Sequence, residues 1–234
     1  MRFTHFIPDV DADTSVLPVT AKSEIPQWYK DGEVEYLDDV TGSPNPGIKK
    51  CIPILDSLTT GYLLKTSVNI YIKKRHNGTT AIDYDLDMNT SSPVGVRADA
   101  MGATIPRPAG HKREQLTWTS HWSWKTPRGY SLLITHPLNR WDLPFTTMAG
   151  IVDSDKYHGS GNIPFFLKEE FEGLIPKGTP YAQVIPIKRA EWTTVFDPAL
   201  TGAALNTGID GSKGGYKKSF WKKKTYLIGE KNDK

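Results

Sequence analysis

Prolines and glycines recur so often along this chain that a long helix has almost nowhere to form. Seventeen prolines and 20 glycines stand among 234 residues. A proline inside a helix removes a hydrogen bond and clashes with the preceding turn, and glycine is the residue of tight turns. Aromatic residues make up 11% of the chain, and such side chains suit half-buried strands. Together these features imply a mainly β chain of many short strands. Its length is enough to bury a sizeable core.

Three segments can be read along the chain. Residues 1–47 look like an extended acidic arm, with Asp9, Asp11 and Asp13 followed by Pro18, Pro26, Pro44 and Pro46. One short helix fits around Ile25 to Lys30, with Ser23 as its N-cap and Pro26 in its first turn. Residues 48–195 read as a β-rich core. Ile52 to Leu55, Gly61 to Thr66 and Val68 to Lys73 are strand-like, and Asn77-Gly78 signals a hairpin before the alternating run Ala81 to Met88. That run puts Asp83, Asp85 and Asp87 on one face, which reads as a solvent-facing strand because the loop and glycine of a calcium motif are missing.

Residues 89–114 read as a long loop. The stretch Leu116 to Thr126 alternates so that Trp118, Trp122 and Trp124 share a face, either a stacking platform or, the preferred reading, part of a core or subunit interface. Tyr130 to Thr135, Asn162 to Phe166, Gly173 to Ile175 and Pro180 to Arg189 follow as strands, the last apolar on both faces. Residues 196–234 read as a flexible, basic, glycine- and aromatic-rich tail.

Several chemistries are disfavoured. Cys51 is the only cysteine, so no intrachain disulfide and none of the usual cysteine-rich zinc clusters can form. The six histidines show no paired ligand spacing, and no phosphate-binding P-loop or nucleophile elbow is present. No metal and no cofactor is expected. The first residues lack the apolar run of a signal peptide, and no run approaches membrane-spanning length. Charge is unevenly placed. Residues 1–47 carry nine acids against three bases, whereas residues 206–234 carry eight lysines against three acids. Opposite ends of opposite sign favour association within or between chains.

Within Thr126 to Arg189 a resemblance appears. Ala149-Gly150-Ile151-Val152-Asp153-Ser154-Asp155-Lys156-Tyr157-His158-Gly159 resembles the signature of the trimeric dUTPase and dCTP deaminase superfamily. Lys177-Gly178-Thr179-Pro180-Tyr181-Ala182-Gln183 resembles its Lys-Gly-Asp-x-x-Ala-Gln hairpin. Pro127-Arg128-Gly129-Tyr130 resembles the opening of its central strand. The resemblance covers roughly 65 residues and implies a dUTPase-like β-clip, or distorted β-barrel, carrying extended terminal arms. The whole chain is also similar to a poorly characterised family of phage and bacterial proteins, on Pro26-Gln27-Trp28-Tyr29-Lys30, the Thr126 to Arg140 stretch, the Gly150-Ile151-Val152-Asp153 turn and the Lys177-Gly178-Thr179-Pro180 hairpin.

If the superfamily's roles carried over, Asp153 would orient or deprotonate a water and Tyr157 would stack on a deoxyribose. Gly150 and Gln183 would belong to the same nucleotide site, and Tyr216 in the glycine-rich tail would stack on the base. The chain departs from that pattern where Thr135-His136-Pro137-Leu138-Asn139-Arg140 replaces the phosphate-binding Pro-Arg-Ser-Gly, and where Lys156 is an additional residue before Tyr157. Asp153 therefore has a second reading as a turn residue whose carboxylate caps local backbone N–H groups. In the tail, Lys217, Lys218, Trp221, Lys222, Lys223 and Lys224 suit nucleic acid, an acidic partner surface, or plain solvation.

The leading expectation is a non-enzymatic, homo-oligomeric structural or interaction protein of phage type, with a trimer implied by the resemblance. Its partners would be its own copies and other phage structural proteins, and its setting the virion or the host cytoplasm. The alternatives are a nucleotide-binding enzyme or sensor and a nucleic-acid-binding accessory protein acting through the tail.

Overall fold

The computed structural model describes residues 1–5, 16–85, 92–97, 104–211 and 215–229. In chain order it begins with strands β1 (Arg2–His5) and β2 (Val19–Thr20), helix α1 (Gln27–Asp31), and a hairpin of β3 (Glu35–Leu37) and β4 (Pro44–Pro46). Helix α2 (Ile52–Thr59) leads into β5 (Tyr62–Lys65), β6 (Ile70–Lys74), β7 (Thr80–Tyr84) and β8 (Val94–Val96). Strands β9 (Leu116–Thr119), β10 (Trp122–Lys125), β11 (Tyr130–Thr135) and β12 (Phe145–Thr147) follow. The last strands are β13 (Gly150–Val152), β14 (Asn162–Leu167), β15 (Gly173–Ile175) and β16 (Pro180–Lys188), and helix α3 (Thr201–Gly211) comes after them.

The chain is mainly β and divides into two compact units. One holds residues 1–19 and 61–189, and the other holds residues 20–60 and 190–234. This partition cuts across the three-segment reading, because residues beyond 190 join the 20–60 stretch rather than standing alone. Within the first unit β1 pairs with β10, while β13, β11, β16 and β5 lie side by side in that order. A further sheet runs β12-β14-β9-β8, and a three-stranded one runs β15-β6-β7. With the β3–β4 hairpin of the second unit, these make five small antiparallel sheets. The distorted barrel expected from the resemblance is not closed among the described residues. Most strands run only three to six residues before a Gly, Pro or turn ends them, and they divide among separate sheets.

The core of the first unit is built around Trp118. Its ring stacks on Phe165 at 3.8 Å and 10°, and Phe145 meets it edge-on at 4.8 Å. The register Trp118↔Ile163 and Leu116↔Phe165 between β9 and β14 brings these rings together. Trp122 and Trp124 are buried too, although Ser120 and His121 break the expected single strand in two. The tryptophan stripe is therefore core. β16 lies between β11 and β5, and its Pro180 to Val184 stretch is buried, as its two apolar faces imply. Gly61, just before β5, has φ +73°, and a Cβ there would fall 2.3 Å from the carbonyl oxygen of Val184. Only glycine fits that approach.

Three local expectations change, and the acidic strand face stays exposed where it is described. Ile52 to Leu55 opens a helix rather than a strand: Pro53 sits in the first turn, where its missing N–H costs nothing, and Ile52 and Leu58 are buried. Pro26, not Ser23, stands at the N-cap of α1, and the Ser23 hydroxyl instead donates to the carbonyl of Thr20. Val94–Val96, read as loop, pairs with β9. Of the acidic strand face, Asp83 pairs with Lys73 and Asp85 accepts from Asn69 and Tyr71, whereas residues 86–88 lie outside the described residues. Trp118→Ala is expected to lower stability by about 3 to 5 kcal/mol, measured by urea unfolding of the full-length protein.

Candidate functional site

Two of the three resembling motifs, Pro127 to Tyr130 and the turn that follows β13, meet at one end of the β13-β11-β16 sheet, whereas Lys177 to Gln183 enters the sheet at the other end, where Gln183 stands opposite Thr135. Register does this: Leu132 of β11 stands opposite Val152 of β13 on one side and Pro186 of β16 on the other. The turn after β13 and the residue after β16 therefore reach the same place. There the Arg189 guanidinium donates from Nη1 to Asp153 Oδ1 at 3.2 Å, to Asp155 Oδ1 at 3.0 Å and to Ser131 Oγ at 3.1 Å. Its Nη2 donates to Asp155 Oδ2. Ser131 Oγ donates to Asp153 Oδ1 at 2.6 Å, and the Gly129 N–H donates to Asp155 Oδ2 at 2.9 Å. Thr126 closes the back of the cluster, its hydroxyl donating to the carbonyl of Tyr130 and lying 3.1 Å from the buried Ser154 hydroxyl.

These contacts fix the protonation states. The Ser131 hydroxyl, helped by the nearby Arg189 charge, holds the Asp153 carboxyl below the usual carboxylate range. Arg189 first and the Gly129 N–H second bring Asp155 down to about 2. Hydrogen bonds and a cation favour the charged form of a carboxylate, and a carboxylate held that low is a weak general base near neutral pH. The Asp153 carboxylate does not cap local backbone N–H groups. Its backbone carbonyl forms the turn instead, accepting from the N–H groups of Lys156 and Tyr157 at 2.9 Å each, while the carboxylate ties that turn to β11 and to the end of β16.

Tyr157 lies beside this turn with its ring 58% exposed, folded over Gly159, where a Cβ would come within 2.4 Å of the phenol oxygen. Gly150 opens β13 opposite Ile134, with open space around it. Gln183 is buried, and its Oε1 accepts from the Leu138 N–H at 2.7 Å, which anchors the 136–142 loop. In that loop Arg140 is clamped on Asp142 through Nε and Nη2, with Nη2 2.8 Å from Oδ2. The guanidinium nearest to the missing phosphate-binding motif is thus already paired. His136 is buried beneath the loop: the Thr147 N–H points at its Nδ1, so Nε2 carries the proton and donates to the Arg140 carbonyl at 3.0 Å. Burial pushes its pKa down.

The basic tail residues belong to the other unit. Trp221 Nε1 donates to both carboxylate oxygens of Asp56 in α2, at 3.1 and 2.9 Å, and Lys224 Nζ pairs with the same group. Lys217, Lys218, Lys222 and Lys223 are exposed, while Tyr216 is about two-fifths exposed. Lys213 lies outside the described residues. Part of the expected flexible tail is thus the ordered helix α3 and a Trp221 held on Asp56. Asp155, Ser131, Arg189 and Asp56 were not singled out from sequence. Their signal is tertiary, since only strand register and packing show which side chains meet.

Among the described residues, no group of three or more His, Cys, Asp or Glu side chains is placed to hold a metal ion, and no helix is long and apolar enough to cross a membrane. No family model matches the chain, and no curated protein does. Among solved structures, a mutant dUTPase from phage phi11 of S. aureus matches at a TM-score of 0.27 and 15% identity, over 45% of this chain and 95% of that one. At that TM-score the likeness decides nothing about the site, which stands on the contacts above.

Two pH effects follow. The low Asp155 pKa contributes stability that is complete above the ordinary carboxylate value of about 4 and is lost as pH falls towards about 2. In Arg189→Ala the Asp155 titration, followed by carboxyl NMR, is expected to move up, and this acid-dependent component of stability to shrink. The depressed His136 pKa acts in the same direction at higher pH. Its contribution is complete above the unfolded value of about 6.5 and declines as pH falls below it. Thermal melts from pH 7.5 to 5 are expected to show that slope, and His136→Gln is expected to flatten it.

Proposed function

We propose that this protein is a non-enzymatic, homo-oligomeric interaction protein that grips neighbouring copies through residues 190–211. One observation carries this reading. Trp192, Val195 and Phe196 are 88%, 81% and 91% exposed, and they run directly into α3, which buries none of its residues and exposes Leu205. Scattered exposed apolar side chains are ordinary, but three large ones within five residues mark a docking surface. α3 has 11 residues including Gly202, Gly208 and Gly211, and an isolated helix that short and glycine-rich is marginal in water. It therefore needs a partner face. Residues 190–197 have no regular structure, and eight extended residues span roughly 26 Å, enough to reach a neighbour.

Further support comes from the acidic start and basic end of the chain, and from the resemblance to a trimeric superfamily and to phage proteins, which puts the virion forward as the setting. Against catalysis stand the paired carboxylates of Asp153 and Asp155 and the Arg140 guanidinium engaged by Asp142. The nucleotide-binding alternative draws on one feature, the exposed Tyr157 ring beside the half-exposed Asp153 carboxylate.

Size-exclusion chromatography with light scattering tests the proposal. Wild type is expected at a defined multiple of 26.1 kDa, and a Trp192→Ser, Phe196→Ser double variant at the monomer mass with an unchanged circular dichroism spectrum. A monomeric wild type, or a variant of unchanged mass, would overturn it. Calorimetric titration with deoxynucleotides is expected to give no heat. Micromolar binding lost in Asp153→Ala would replace this reading with the nucleotide-binding one.

A further inference from the structure

The second unit contains an anion site that the chain fills with its own carboxylate. Asp56 stands in the last turn of α2, where a negative charge opposes the helix dipole and no basic residue of that turn offsets it. Its partners come from the far end of the chain. Trp221 Nε1 donates to Oδ1 at 3.1 Å and to Oδ2 at 2.9 Å, and the Lys224 ammonium pairs with Oδ2. The same ammonium lies 5.9 Å from the centroid of the Trp221 ring, within cation–π range. These contacts leave the Asp56 side chain 17% exposed. An indole N–H and an ammonium converging on one carboxylate form a receptor that accepts a phosphate oxygen through the same hydrogen bonds.

The segment that carries these donors has charge and rings for more than one anion. Tyr216–Phe220 make a single π-helical turn, closed by the Trp221 N–H donating to the Tyr216 carbonyl at 2.9 Å. Such turns are rare and recur at functional sites. From Gly215 to Gly229 stand five lysines and no acid. Lys217, Lys218, Lys222 and Lys223 are exposed and make no ion pair among the described residues. Among them the Tyr216 and Phe220 residues are 39% and 42% exposed. Lysines neutralise phosphates whatever the base sequence, and aromatic rings take the faces of unpaired bases. An acidic peptide would meet the lysines but leave the rings unmatched, and a duplex hides the base faces.

We propose that residues 216–224 bind single-stranded nucleic acid, and that Asp56 latches them by occupying the place of a phosphate on Trp221 and Lys224. Strand binding displaces the carboxylate. That release adds one cation and one stacking ring to the four lysines already exposed. The latch goes beyond the homo-oligomer reading and does not depend on it, since neither Asp56 nor residues 216–224 belong to the grip at residues 190–211.

The test titrates full-length protein into a fluorescein-labelled oligothymidylate of roughly 12 nucleotides and reads anisotropy. Five lysines, at about 0.7 per phosphate neutralised, give an expected slope of log affinity against log salt of roughly −2 to −3.5. Replacing Lys217, Lys218, Lys222 and Lys223 together by Glu is expected to abolish binding. Asp56→Asn is expected to tighten it at least about fivefold, with an unchanged circular dichroism spectrum. Loss of a negative charge alone also favours binding, so the deciding comparison is made in Trp221→Ala, which has no ring to release. There the gain from Asp56→Asn is expected to shrink at least about threefold. Trp221→Phe, which keeps a ring and loses the N–H, is expected to bind at least as tightly as wild type. An equal gain from Asp56→Asn in both backgrounds, or weaker binding by Trp221→Phe, would overturn the latch. Poly-glutamate of matched charge is expected to compete poorly, and a duplex of the same length to bind more weakly than the single strand. Absence of binding by wild type and Asp56→Asn alike, or a duplex preferred to the strand, would overturn the nucleic-acid assignment. Equal competition by poly-glutamate would overturn it in favour of an acidic protein partner.

Discussion

The first unit depends on a chain of hydrogen bonds running through its aromatic core. Trp118 Nε1 donates to the Thr147 hydroxyl at 3.1 Å, and that hydroxyl donates to the Tyr181 carbonyl at 2.6 Å. The Thr147 N–H turns to His136 Nδ1, and His136 turns to the carbonyl of Arg140. β9, β12, β16 and the 136–142 loop are thereby tied at a point where Phe145, Phe165 and Tyr181 exclude water. A buried polar group left without a partner costs far more than a paired one gains, so each member holds the next in place. Dispersion and area burial supply the bulk of the attraction, and this chain of polar contacts selects one arrangement of the strands.

That arrangement decides what the resembling motifs can do. With β11 flanked by β13 and β16, Arg189 lies within reach of Asp153 and Asp155, and the carboxylates become parts of a clamp that closes the end of the sheet. The same loop that accepts the His136 hydrogen bond holds Arg140 against Asp142. These polar groups are partners of one another. Outside these clusters the Trp192, Val195 and Phe196 side chains remain exposed.

Much of the strand pattern was legible in the sequence because period-two alternation and turn residues are local signals. Val68 to Lys73, the Asn77-Gly78 hairpin and the run from Pro180 each appear close to where alternation puts them. Ile52 to Leu55 misled because a short apolar run with a proline fits both a strand and a helix's first turn, and only the burial of Ile52 together with Leu58 separates the two. The tryptophans at 118, 122 and 124 share a face in either reading, but whether that face meets solvent depends on Phe145 and Phe165, which lie 20 or more residues away.

The candidate site divides in the same way. Its motifs were visible as segments, since Pro127 to Tyr130 and Gly150 to Gly159 carry their own turn chemistry. Its contacts were not, because Ser131, Asp155 and Arg189 come together through antiparallel register across three strands, and Trp221 finds Asp56 across 165 residues. By itself, the sequence determined a mainly β chain with short strands, an acidic start and a basic end, through the local preferences of proline, glycine and alternating side chains. Only the tertiary structure decided which charges neutralise one another and which apolar residues are buried, because those outcomes depend on distances between residues far apart in the chain.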